Sequence, residues 1–179
     1  VLVTSPVIAD SKIAALMALN RAAEGLMQTL DNMQNLRALD AAAGQAGKPL
    51  DVVIDVDVGL HRTGAAGVGD AVALVEAAVA ATNLNYAGVQ GYAGHIMHIE
   101  DYGERRATNI VDTKPLNDTC AALAEKNLTP AIVTGAGTGT YDIDAELGVM
   151  SEMQVGSYAV MDVEYRDVHC QSGGDWLFE

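Results

Sequence analysis

Three stretches of this chain concentrate residues that could do chemistry. The first, "VTGAGTGTYDID" (Val133–Asp144), sets Gly135, Gly137 and Gly139 among Thr134, Thr138 and Thr140. A dinucleotide fingerprint needs G-x-G-x-x-G, and here the third glycine falls one position early, with Thr at 140. A P-loop is excluded too, because no Gly-Lys-Ser/Thr follows. Two readings remain: a nest of backbone N–H groups and hydroxyls for a small phosphate, or a tight turn that needs positive φ and nothing more.

The second stretch is "VDVGLHRTGAAGVGDA" (Val56–Ala71), preceded by Asp55. Asp55 and Asp57 are two apart on a strand and so share a face, while Gly59 permits a turn that lifts His61 and Arg62 above the sheet. Arg62 offers a permanent charge to a carboxylate or a cofactor ring, or it merely pairs with Asp57. In the third stretch, "GVQGYAGHIMHIE" (Gly88–Glu100), Tyr92, His95 and His98 follow a strand. H-x-x-H with Glu100 is weak as a metal cluster, since no third ligand group is evident. Acid–base or substrate-contact work by one histidine fits better, beside the alternative of a plain surface histidine.

These residues need elements to position them. Short apolar runs alternate with amphipathic ones: strands at 1–7, 25–32, 50–59, 85–94, 130–135 and 151–162, and helices at 9–24, 33–47, 68–82 and 102–127, the last disturbed at Pro115. Strands separated by crossover helices demand a parallel α/β sheet. The polar and Gly-rich residues fall after every strand, which suggests a ring of loops around one site and hence a (β/α)8 barrel. Six strands do not complete one.

The 179 residues, half of them hydrophobic, suit one domain. No apolar run is long enough to span a membrane, and the opening "VLVTSPVIADSK" lacks a signal peptide's basic start. Cys120 and Cys170 form no metal or redox spacing, so a cytoplasmic location is expected. The formal charge of −14 repels phosphate backbones and anionic membranes, so neither nucleic acid nor membrane is an expected partner. "ERR" (Glu104–Arg106), the densest basic point, reads as a solvated helix face.

In order, "VDVGLHRTG", "GVQGYAGHIMH", "VTGAGTGTYDID" and "SEMQVGSYAVMDVEY" resemble barrel segments of fold-type III pyridoxal-phosphate enzymes, in particular the D-threonine aldolase and D-serine dehydratase group, whose barrel is like the alanine racemase N-terminal domain. The likeness runs from Val1 to about Tyr165. It implies a phosphate held at Gly137, Thr138 and Gly139 and at Gly156 and Ser157, with Arg62 and Tyr92 facing the cofactor's ring. It implies His98 near the substrate as a catalytic residue, with His95 as the second candidate, although Ala93 stands where the commoner pattern has His. An Arg or Tyr near the pyridine nitrogen, in place of a carboxylate, would leave that nitrogen unprotonated.

The family's cofactor lysine would lie upstream of Val1, since Lys12, Lys48, Lys114 and Lys126 match no such position. Its second, β-rich domain with a divalent metal would follow Glu179, and His169–Cys170 does not match that motif. The expectation is therefore a central piece. Residues 1–165 form a partial pyridoxal-phosphate barrel holding strands three to eight, and 166–179 begin a connection to a further domain. The complete protein is expected to be a lyase, usually a homodimer in this family, that cleaves or dehydrates a small D-β-hydroxy amino acid. The alternatives are an alanine racemase-like enzyme and a non-catalytic cofactor- or phosphate-binding barrel. A metal-dependent hydrolase using His95 and His98 would leave the Gly/Thr loop unexplained.

Overall fold

Strand β3 (Leu50–Asp55) shows why the chain makes a two-faced sheet. Side chains alternate across a strand. Val52, Ile54 and, just beyond, Val56 join the core beneath the helices, which leaves Val53 and Asp55 on the other face. The computed structural model describes residues 1–161 and 163–168. Its sheet has six parallel strands in the order β1-β2-β3-β4-β5-β6. The others are β1 (Leu2–Val3), β2 (Met27–Leu30), β4 (Leu84–Gly91), β5 (Ile132–Gly135) and β6 (Glu152–Met153). A doubly wound sheet would reverse its order at a switch point. Here the order runs straight through, with helices between neighbours, and the sheet is a partial barrel wall.

The crossover helices start and stop where their caps dictate. In α2 (Met33–Ala46) the Asn32 side chain accepts the N–H of Asn35 at 2.8 Å, and left-handed Gly47 ends the helix. Helices α1 (Asp10–Ala22) and α3 (Val68–Ala80) complete the first half. The run 102–127, expected as mostly one helix, is two: α4 (Tyr102–Asp112), capped by Asp101, and α5 (Lys114–Glu125). The joint is at Thr113, because Pro115 lacks an N–H and is tolerated only in a first turn, where α5 places it.

One further expectation needs correction. A strand over 151–162 shrinks to β6, and a 3-10 turn at Ser157–Ala159 follows, where Gly156 breaks the extended pattern. A helix that the pattern did not announce, α6 (Tyr141–Leu147), follows the Gly/Thr loop. The described chain closes with α7 (Val163–Arg166). Of the segment read as a connection, 169–179 lies outside the described residues, as do His169, Cys170 and Asp162.

Candidate functional site

The face of the sheet turned away from the helices carries a polar chain at the strands' carboxyl ends. Gln154, just past β6, donates from Nε2 to Gln90 Oε1 at 3.1 Å and to Thr134 Oγ1 at 3.3 Å. Gln90 Nε2 donates in turn to Asp55 Oδ1 at 3.0 Å and to the carbonyl of Thr4 at 3.3 Å. Thr63 Oγ1 donates to Asp55 Oδ2 at 2.7 Å. One network thus joins β3, β4 and β5 to the loops after β1 and β6. Burial pushes the Asp55 carboxyl above its ordinary range, opposed by the bonds from Thr63 and Gln90.

At the mouth of this face the loop after β3 is folded around Asp57. Its carboxylate accepts the N–H groups of Gly59 and His61, each at 3.0 Å, and meets His61 Nδ1 at 2.7 Å. Burial works to raise this carboxyl too, but those bonds outweigh it and hold Asp57 below the usual range. Asp57 is therefore His61's partner, while the Arg62 guanidinium lies 5.9 Å from the centre of the Tyr92 ring. Arg62 and Tyr92, from different loops, line one small crevice with Asp55, Val58, Leu60 and Thr63.

The two histidines after β4 have separate partners. His95 Nε2 is 2.8 Å from Asp112 Oδ2 at the end of α4, packed beside Gly59. His98 Nε2 is 3.4 Å from Glu164 Oε2, and its ring centre is 4.7 Å from that of Tyr165. Among the described residues no three His, Cys, Asp or Glu side chains gather as a metal site.

None of Gly135, Gly137 and Gly139 has positive φ; the left-handed residue is Ala136, at 58°. Gly135 and Gly139 are small because other backbone is close, and Gly137 because the Met97 side chain is. A Cβ on Gly135 would stand 2.1 Å from the Gly91 carbonyl oxygen, and one on Gly139 would stand 2.2 Å from that of Met97. The turn closes through Thr140 N–H to the Gly137 carbonyl at 3.1 Å.

A second loop then meets it: Tyr158 N–H donates to Thr138 Oγ1 at 3.1 Å, which brings Gly156 and Ser157 to the Gly137–Gly139 turn. Among the described residues no hydrogen bond uses the N–H groups of Thr138, Gly139, Gly156 or Ser157. Thr138 is only 3% exposed, and buried donors are normally satisfied. Thr138 Oγ1 accepts one bond, so its own proton remains to be donated. Four N–H groups and a hydroxyl with no cation among them suit a small anion such as a phosphate ester.

Sequence reasoning missed Gln90, Gln154, Asp112 and, above all, Arg105. Glutamines inside apolar strands at 90 and 154 were the available signal for the network. Arg105, expected in solvent with its neighbours, is fully buried.

The alanine racemase N-terminal domain family matches residues 2–163. A 3-hydroxy-D-aspartate aldolase from Paracoccus denitrificans (strain Pd 1222) is 33% identical over 98% of this chain and 47% of its own. A D-threonine aldolase from Arthrobacter sp is 34% identical over 91% of this chain and 43% of its own. The crystal structure of D-threonine aldolase from Filomicrobium marinum superposes with a TM-score of 0.91 at 34% identity, covering 94% of this chain and 46% of that one. The chain spans about half the length of the curated relatives it matches.

Proposed function

The chain belongs to the alanine racemase N-terminal domain family, and from that premise we propose that it is the cofactor barrel, residues 1–165, of a pyridoxal-phosphate lyase acting on D-β-hydroxy amino acids. The observation that carries the proposal is the bond from Tyr158 N–H to Thr138, which assembles two loops into one anion cup. Likeness to D-threonine and 3-hydroxy-D-aspartate aldolases over nearly the whole chain supports the substrate class.

In this reading the N–H groups around Gly137, Thr138 and Gly139, with Gly156 and Ser157, hold the phosphate, and Arg62 and Tyr92 face the ring. When bound, the cofactor withdraws electrons from the bonds at the amino acid's Cα. Arg62 keeps a permanent charge at the ring's edge and so disfavours a proton on the pyridine nitrogen. His98 takes the proton of the β-hydroxyl, which lets the oxygen form a carbonyl as Cα–Cβ breaks; dehydration instead expels the hydroxyl. His95, oriented by Asp112, contacts the substrate or the loop that carries His98. Both histidines have carboxylate partners, and a divalent metal in the complete enzyme takes its ligands from outside the described residues. We extend the proposal to a cytoplasmic homodimer, in keeping with the sequence resemblance; among the described residues no helix is long and apolar enough to cross a membrane.

The test uses the protein made from its complete gene, supplied with pyridoxal phosphate and then D-threonine, 3-hydroxy-D-aspartate or D-serine. Glycine with an aldehyde, or a keto acid with ammonia, is the expected product. Bound cofactor with no turnover would leave a binding protein, and D-alanine converted to its mirror image would make it a racemase. Thr138→Val should weaken the cofactor about tenfold, since it removes a hydroxyl shared between the anion and Tyr158.

A further inference from the structure

The least expected side chain in the structure is Arg105, on α4. Its Nε donates to the Gly139 carbonyl at 2.8 Å, and one terminal nitrogen donates to the carbonyls of Ile99 and, at 3.2 Å, of Glu100. The guanidinium carbon lies 5.4 Å from the centre of the Tyr102 ring. A planar fork of donors can hold carbonyls that point at it from two directions, which an ammonium does less well.

The Gly139 carbonyl has a specific mechanical meaning. A trans peptide sends its C=O and N–H in opposite directions. In the peptide joining Gly139 to Thr140, the N–H closes the turn onto Gly137 and the C=O ends on Arg105. Both ends of that plane are therefore fixed. The Gly137 carbonyl is committed to the same closure, so the Thr138 N–H on the other end of its peptide points away from the turn. Arg105 also fixes the backbone that follows His98, and Met97 packs its carbonyl on Gly139. The histidine loop and the anion cup share one anchor.

We propose that Arg105 is a positioning residue for the anion cup: without touching the ligand, it fixes the Gly139–Thr140 peptide whose N–H holds the Gly137 carbonyl, and so sets the orientation in which the Thr138 N–H meets a phosphate ester. This rests on the cofactor reading given above. The experiment compares two ligands that differ only in the phosphate, pyridoxal phosphate and pyridoxal, by equilibrium dialysis against the complete protein and its Arg105→Lys and Arg105→Met variants. Thermal midpoints without ligand serve as a folding control.

Arg105→Lys keeps a cation that reaches some of the carbonyls, so it should weaken pyridoxal phosphate about tenfold, and Arg105→Met about a hundredfold. Pyridoxal should change less than about twofold, since the aligned peptides act on the phosphate alone. If both ligands lose affinity by the same factor, or neither does, Arg105 is only a structural residue and the inference is overturned. Should Arg105→Met fail to fold, the ratio between the two ligands in Arg105→Lys decides alone. A parent protein that binds neither ligand would overturn the cofactor reading, and this inference with it.

Discussion

The two faces of β3 are built on opposite physical terms. Toward the helices, Val52, Ile54 and Val56 pack with Leu30, Leu39 and Leu50 in a core that depends on volume and excluded water, not on direction. Toward the barrel interior, Asp55, Gln90 and Gln154 hold one another through bonds whose donors and acceptors must alternate correctly. The difference teaches where tolerance lies. The helix side accepts any filling of similar volume, while the interior accepts only a fixed sequence of donors and acceptors.

Ile54→Ala attacks the helix side at a fully buried position. It should cost about 3–4 kcal/mol of unfolding free energy from transfer and cavity terms. Denaturant titration measures this, and cofactor affinity of the protein still folded should stay within about twofold. A matching loss of affinity would mean that the two faces are not separable.

A smaller effect is expected from Gly139→Ala, where the new methyl meets the Met97 carbonyl oxygen at 2.2 Å. Backbone has to move, at a cost of about 1–3 kcal/mol. Unlike Ile54→Ala, this change should also weaken pyridoxal phosphate more than pyridoxal. Equal affinities in variant and parent would show that the loop relaxes without disturbing the cup.

The smallest expected effect, and the one that most sharpens the comparison, is a pH dependence read against Asp55→Asn. Burial raises the Asp55 carboxyl above the ordinary 3.8, so the folded state holds that proton more tightly than the unfolded chain does. The stability this provides is complete below 3.8 and is lost as pH rises through the raised value. Relative to Asp55→Asn, the parent should therefore lose ground as pH climbs from 3.8 and level off once the carboxyl is ionised. Unfolding curves at a series of pH values would read it. Parallel curves for the two proteins would show that the interior chain carries no buried ionisation.

The legibility of these features in the sequence follows the same division. The helix-side core was readable because periodicity reports burial, and β3 and α2 stand close to where a β-branched apolar run and a terminal glycine put them. Gly135 and Gly139 were conspicuous but misleading in cause: they answer to the carbonyls of Gly91 and Met97, which no local pattern announces. Arg105 was misread because a charge beside Glu104 and Arg106 looks like helix surface. Its partners are carbonyls, and a carbonyl has no letter in the sequence. Arg62 and Tyr92 were each noticeable as single residues, but their meeting across two loops is a property of the sheet.

The straight order of the six strands bears on how the chain acquires its shape during synthesis. Among the described residues every strand pairs only with strands adjacent in sequence, so each addition requires closing one crossover and never threads a new strand between two already joined. Loop closure of that kind is entropically modest, and domains tend to fold as the chain emerges, amino-terminal portion first. The sheet can therefore be laid down in reading order, each new strand finding its neighbour already in place. The anion cup, which needs the loops after both β5 and β6, comes together at the last of these additions.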